Sequence, residues 1–261
     1  VQDYHLALLG EQLAELRPDL ATVHFSHTPF AAPDWLEVLP RQWVDDLLRG
    51  MAGHHACGFH SSRWEADFLA CCERFGVEPP HTFVAPLGPD PDDIGAVAGS
   101  AACDAARAEL DAEVGDRQLI VRVDRIELSK NLLRGFWAYD ALLHRHPEMV
   151  GKVVFGAFVY PSREGLPEYL AYRQEVETLV ERINGRWAQP GWTPILLDTG
   201  DDFPRSVAAL RRSDVLLVNP IRDGLNLVAK EGALVNEREG VLALSTGAGA
   251  WDELGPHSLR V

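Results

Sequence analysis

The chain reads as an α/β protein built on parallel sheets, and three observations predict it. Short apolar runs such as Val215-Leu-Leu-Val218 are bounded by charges or proline, the pattern of strands buried on both faces. Most of these runs are followed by a stretch of helical periodicity, the alternation that a parallel sheet with crossover helices requires. The long stretch Glu164–Trp187 carries Tyr169, Tyr172, Val176, Leu179, Val180 and Ile183 at three- and four-residue steps, one apolar stripe for a sheet face.

Taken in order, Leu6–Leu16 has apolar residues at helical spacing and stops near Arg17-Pro18. Thr22–Phe25 is a short β-type run closed by the turn Ser26-His-Thr-Pro29. Helices are predicted over Pro40–Met51 and Ser62–Phe75, with a strand at His55–Phe59 between them and another at Phe83–Ala85. The polar, proline-rich Pro86–Asp93 marks a linker or domain boundary. Beyond it come strand Leu119–Val123, helix Leu132–His144, strand Lys152–Val159 and the long helix. Strand Thr193–Leu197, helix Pro204–Arg211, strand Val215–Val218 and helix Leu227–Val235 follow. A strand at Val241–Ser245, a short Gly/Ala-rich helix and a terminal strand Leu259–Val261 complete the series.

At 261 residues the chain can bury a large core in one or two domains. Its 46% hydrophobic and 24% charged content is ordinary for a globular protein. A formal charge of −15 argues against a general nucleic-acid or membrane-surface binder, though it permits a local basic pocket. No apolar run approaches the roughly 20 residues that span a bilayer. Cys57, Cys71, Cys72 and Cys103 form no CxxC pair and have no histidines at zinc-finger spacing, so free buried thiols in a reducing cytoplasm are expected, without a metal site. The opening Val1-Gln-Asp-Tyr-His5 has no Met and no signal-peptide pattern, and reads as the interior of a longer protein.

Asn219–Glu231 is the most informative stretch. A strand runs into a tight polar turn with Gly224 and then a helix, and ligands of open α/β sheets bind outside the carboxyl ends of strands. Backbone N–H groups at a helix start suit an anion such as phosphate. Asp223, Asn226, Lys230 and Glu231 sit where they could serve such a site, or could be solvated charges on a capped helix. Arg125 and Lys130, five apart across a strand-to-helix turn, either converge on a diphosphate or stand as solvated surface cations. Arg163 is a candidate second phosphate ligand, or a salt-bridge partner of Glu164 or Glu168. Asp3 reads locally as a helix N-cap and His27 as a structural histidine beside a proline turn.

The ordered motifs Asp3-Tyr-His-Leu6, His27-Thr-Pro-Phe30, Gly58-Phe-His60, Val123-Asp-Arg125, Ser129-Lys130, Pro161-Ser-Arg163, Arg182-Ile-Asn-Gly-Arg186, Trp192-Thr-Pro194 and Asp223–Glu231 run through the whole chain. Leu244-Ser245 and Gly249-Ala250 continue the series. Together they resemble the retaining trehalose-6-phosphate synthases, glycosyltransferases of the GT-B architecture. The resemblance implies two Rossmann-like domains facing each other across a cleft, with residues 1–88 the later part of the acceptor domain and 89–261 the nucleotide-sugar donor domain. It implies a glucosyl transfer from UDP- or GDP-glucose to glucose-6-phosphate, giving α,α-trehalose-6-phosphate, without a cofactor or metal. Arg125 and Lys130 would hold the donor diphosphate and stabilise the leaving nucleotide. Asp223 and the turn around Gly224, Asn226, Leu227 and Val228 would hold the donor sugar and diphosphate, and Glu231 the ribose hydroxyls. Asp3, His27 and Arg163 would face the reacting sugars and the acceptor phosphate. Lys230 becomes a surface charge on this reading.

The chain departs from the family's common pattern in places. Ile126-Glu-Leu-Ser-Lys-Asn131 stands for Leu-Asp-Tyr-(Ser/Thr)-Lys-Gly, Gln2 for His and Leu225 for Met. These changes leave the phosphate ligands and open the choice of donor. The family's amino-terminal glycine-rich loop and carboxyl-terminal crossover helix fall outside the sequence. Alternatives with the same fold are a glucosylglycerol-phosphate synthase or a pseudo-glycosyltransferase. A non-catalytic homologue that senses sugar phosphates is the alternative from another class. Nucleotide-sugar and sugar-phosphate ligands are the expected partners, no nucleic acid or membrane is, and a homo-oligomer is left open.

Overall fold

The computed structural model describes residues 1–261. The chain forms two compact units, one of Val1–Leu87 with Asp223–Asn226, the other of Gly88–Arg222 with Leu227–Val261.

The smaller unit carries a parallel three-stranded sheet, β1 (Val23–Ser26), β2 (Ala56–Phe59) and β3 (His81–Val84), in that order. Helices α1 (Leu9–Leu16), α2 (Pro33–Leu36), α3 (Arg41–Ala52) and α4 (Ser62–Phe75) surround it. The α4 boundaries follow from local chemistry: the Ser61 hydroxyl accepts the Arg63 N–H at 3.2 Å, and Gly76 ends the helix at φ 73°, a conformation open to glycine. Its apolar face, Trp64, Phe68, Cys71 and Cys72, packs with Val44, Leu48 and Met51 of α3 against Cys57 and Phe59. Fully burying each large side chain is worth about 1.5–3 kcal/mol. The amino-terminal helix is shorter than its apolar spacing predicts. Tyr4–Leu6 forms a 3-10 turn, α1 starts at Leu9, and Leu6, Leu8 and Leu16 are exposed, with Gly10 the buried residue of the helix.

The larger unit carries six parallel strands: β4 (Gln118–Ile126), β5 (Val153–Pro161), β6 (Ile195–Asp198), β7 (Val215–Val218), β8 (Val241–Leu244) and β9 (Leu259–Arg260). Their order across the sheet is β6-β5-β4-β7-β8-β9. Renumbered within the unit this is 3-2-1-4-5-6, the order of the Rossmann fold, with its switch point between β4 and β7. Its helices are α5 (Pro91–Ala98), α6 (Ala101–Val114), α7 (Leu132–Arg145), α8 (Pro167–Trp187), α9 (Phe203–Arg212), α10 (Leu227–Val235) and α11 (Trp251–Leu254).

Three departures from the predicted series concern this unit: helices α5 and α6 are added, and the long helix is shorter. The proline-rich stretch is partly helix, because Asp90 caps α5 by accepting the N–H groups of Asp92 and Asp93 and Pro91 occupies the first turn. Alanine-rich α6, capped by Ser100, has a strong helix propensity but a thin apolar stripe of Cys103, Leu110 and Val114. The long helix begins at Pro167 rather than Glu164. Its stripe from Tyr172 to Ile183 is buried as the spacing predicts. Phe136 and Tyr139 of α7 pack edge-on to Phe155 of β5, with ring centroids 5.3 and 5.5 Å apart. No helix is long and apolar enough to cross a membrane.

Candidate active site

Successive strand residues project to opposite faces, so Arg122 and Asp124 of β4 share one face and Arg125 takes the other. Arg122 is fully buried, which a charged group tolerates only when paired. Its Nε donates to Asp124 Oδ2 at 3.1 Å, its Nη1 to Asn219 Oδ1 at 2.7 Å, and its Nη2 to the Lys130 carbonyl. Asp124 in turn lies 3.4 Å from Lys130 Nζ through its other oxygen. The two loops at the switch point are also tied by one backbone bond and one side-chain-to-backbone bond. Ile221 N–H donates to the Ser129 carbonyl at 2.8 Å, and Asn131 Nδ2 to the Asn219 carbonyl at 3.0 Å. Asn131 holds φ 62°, which explains how it can stand where the common pattern has glycine, since asparagine is among the few residues that tolerate this region.

Lys130 is thus not the solvated cation that local reading allowed, because its side chain is 12% exposed. Arg125 is half-exposed at the strand end and lies 3.1 Å from Glu127, whose Oε1 also accepts the Ser162 hydroxyl at 3.1 Å. Arg163, at φ 50°, donates to the Tyr169 hydroxyl at 3.2 Å and sits over that ring. Glu164, one of its alternative partners, accepts from Arg173 at 3.0 Å.

On α10, Leu227 and Val228 form the first turn, and Glu231 follows one turn later without a hydrogen bond or ion pair. Burial pushes the Glu231 carboxyl above its ordinary range. Lys230 is not a surface charge. Its side chain is 10% exposed and paired with Glu253.

In the smaller unit, Asp3 is no helix cap. Its φ is 56°, and its Oδ1 accepts from the Thr28 N–H (3.1 Å), the Thr28 hydroxyl (2.9 Å) and the His27 N–H (3.3 Å). That carboxylate therefore shapes the turn carrying His27. The neighbouring backbone is braced by buried His24, whose Nε2 lies 3.1 Å from the Asp3 carbonyl oxygen. His27 Nδ1 lies 2.9 Å from His60 Nε2. In the sheet Phe25, Gly58 and Phe83 lie in one register row, and a Cβ at Gly58 would stand 2.5 Å from both rings. His27 and His60 each lie two residues further on, so they leave the same sheet face side by side.

Gly224 is packed on the His27 backbone, where a Cβ would meet the His27 carbonyl oxygen at 1.6 Å. Its own carbonyl accepts the Trp64 indole N–H at 2.9 Å. Asn226, buried at φ 76°, donates from Nδ2 to Asp223 Oδ2 at 3.1 Å.

Sequence reasoning missed Arg122, Asp124, Asn219 and Trp64, and assigned His60 no role. A signal for the first two was present, an arginine and an aspartate alternating inside the apolar run Ile120-Val-Arg-Val-Asp124.

A six-stranded parallel sheet in the order 3-2-1-4-5-6 places this unit in the Rossmann-like α/β class, with basic side chains at its switch point. The chain belongs to glycosyltransferase family 20, which it matches over residues 1–261. It is 35% identical over 97% of its length to an α,α-trehalose-phosphate synthase [UDP-forming] of Schizosaccharomyces pombe, covering 53% of that protein. It is 30% identical over 97% of its length to a glucosylglycerol-phosphate synthase of Synechocystis, covering 58%. Among solved structures, one from E. coli bound with UDP-2-fluoro glucose is similar at 33% identity and a TM-score of 0.91, over 100% of this chain and 60% of that one. An α,α-trehalose-phosphate synthase (UDP-forming) from Burkholderia xenovorans in complex with glucose-6-phosphate is similar at 30% identity and a TM-score of 0.89, over 100% and 62%. The chain therefore spans little more than half the length of these relatives, and its two parallel-sheet units are those of the GT-B architecture.

Proposed function

We propose that the protein is a retaining, metal-independent glucosyltransferase that moves glucose from UDP-glucose to glucose-6-phosphate, forming α,α-trehalose-6-phosphate in the cytoplasm. The observation that carries this reading is the basic pair at the Rossmann switch point, Arg125 half-exposed and Lys130 held by Asp124. A departing nucleotide diphosphate develops negative charge, and preorganised cations at that point lower the barrier to its departure. In this reading Arg125 exchanges its pairing with Glu127 for the diphosphate, and Lys130 supplies a fixed point charge in the role Mg²⁺ fills elsewhere.

The first turn of α10, with Leu227 and Val228, offers backbone N–H groups to the phosphates, and the unpartnered Glu231 accepts from the ribose hydroxyls. Asp223, Gly224 and Asn226 hold the donor sugar, Asp3 and His27 face the reacting sugars, and Arg163 takes the acceptor phosphate. Residues 1–88 act as the later part of the acceptor domain and 89–261 as the donor domain. UDP is favoured over GDP because relatives carry that nucleotide in their names or structures. Four unpaired cysteines fit a reducing compartment. A second reading, in which the acceptor is a glycerol phosphate, is favoured by the similarity to the Synechocystis protein.

The test is nucleotide release by the full-length chain with each donor and acceptor in turn, with the product read by mass spectrometry. UDP release requiring glucose-6-phosphate is expected, as is a larger thermal shift with UDP-glucose than with GDP-glucose. Absence of UDP or GDP release under all pairs would sink the reading. Arg125→Ala and Lys130→Ala should each lower turnover roughly 10²-fold or more, the cost of losing one preorganised charge donor. A loss under about threefold contradicts the roles assigned.

A further inference from the structure

We infer that His60 is a positioning residue that fixes the tautomer of His27, so that His27 presents its Nε2 as a hydrogen-bond donor and not as a base. One chain of contacts sets both rings. The Leu87 backbone N–H, which can only donate, points to His60 Nδ1 at 3.4 Å, so that nitrogen carries no proton. A neutral His60 must then carry its proton on Nε2, and Nε2 lies 2.9 Å from His27 Nδ1. Nδ1 of His27 is therefore the acceptor, and its own proton sits on Nε2.

The frame around the pair keeps this arrangement in place. His60 is 4% exposed. The Phe25 ring lies 5.0 Å from the His27 ring and 4.8 Å from the His60 ring, centroid to centroid. Phe25 can occupy that position because Gly58 has no side chain to displace it. On the other side of His27, Asp3 Oδ1 holds the backbone N–H groups of His27 and Thr28. Ring and backbone are thus both anchored, and only Nε2 is left to meet a ligand. A ring set this way recognises an oxygen with lone pairs, such as a sugar hydroxyl or glycosidic oxygen. It cannot take a proton at Nε2.

The tautomer follows from contacts within the smaller unit alone, while its use toward a sugar oxygen rests on the glycosyltransferase reading. The test separates the two. Proton–nitrogen correlation spectra of the histidine side chains in the ¹⁵N-labelled chain read the protonated nitrogen directly, without substrate. Native His27 is expected as the Nε2–H form. His60→Gln, whose amide can still donate, should keep that form, and His60→Leu should lose it. In turnover assays His60→Leu should lower kcat roughly 10- to 100-fold, by analogy with removing the partner that orients a metal-bound imidazole, with KM little changed and His60→Gln restoring most of it. A native His27 protonated on Nδ1, or identical spectra for the Gln and Leu variants, would overturn the assignment. The expected spectra in a protein with no turnover would instead count against the proposed reaction.

Discussion

Arg122 and Asp124, two residues apart on β4 and both buried, form an ion pair of 3.1 Å from which the switch-point loops hang. Arg122 reaches Asn219 and the Lys130 carbonyl, and Asp124 reaches the Lys130 ammonium. Removing one member of a buried pair leaves the other charge uncompensated, which costs about 3–5 kcal/mol. Asp124→Asn should therefore lower the unfolding free energy by about that amount in urea titrations. A change below about 1 kcal/mol would show that the pair is not what holds the loops.

Gly224 should tolerate no side chain. Its missing Cβ would stand 1.6 Å from a backbone oxygen, which cannot rotate away as a flexible side chain could. Overpacking of this kind costs roughly 1–3 kcal/mol. In Gly224→Ala, if the strain displaces the segment and is lost from binding, the donor Kd should rise about 5- to 150-fold. Calorimetric titration with UDP-glucose, beside an unchanged far-ultraviolet circular dichroism spectrum, is the check.

Glu231 makes stability fall with pH. Burial raises its folded-state pKa above the unfolded value, so the folded chain holds a proton that the unfolded chain has released. This contribution is fully present below the ordinary carboxylate pKa and is lost as pH rises through the raised value. Glu231→Gln should flatten that part of the stability–pH curve and weaken donor binding about tenfold or more through lost charged hydrogen bonds. Thermal melts across the acidic range, with and without UDP-glucose, would reveal a curve as steep as the native one if the assignment is wrong.

The core thiols should be inert in the folded chain. Burial pushes Cys57 and Cys71 up to about 12 and Cys72 up to about 11. At pH 8 about one thiol in a thousand or fewer is then ionised, and the thiolate is the reactive form. Iodoacetamide should label these three in urea and leave them unmodified in the native protein over the same time. Rapid native labelling would contradict their burial.

Much of the larger unit was legible because its signals are local. Apolar runs such as Val215–Val218 and the stripe on α8 report burial through periodicity alone. Helix α6 was not legible, since alanine adds propensity without marking a face. Strand order was not legible either: it depends on pairings such as Ile120 with Val215, made between residues far apart in the chain. The candidate site divides in the same way. Arg125, Lys130, Asp223 and Glu231 could be named from residue type and their places after strands. The partners of Lys130 and His27 could not, because Asp124 and His60 reach them only once β4 turns and β1 lies beside β2.

By itself the sequence determined the α/β class, most of the strand and helix series and the charged residues at the strand ends, all set by near neighbours along the chain. Only the tertiary structure decided which charge each of those residues meets. Lys130 and Lys230 became largely covered partners of Asp124 and Glu253, and His27 came to lie against His60. Those outcomes depend on burial and on contacts between distant segments, and a one-dimensional pattern carries neither.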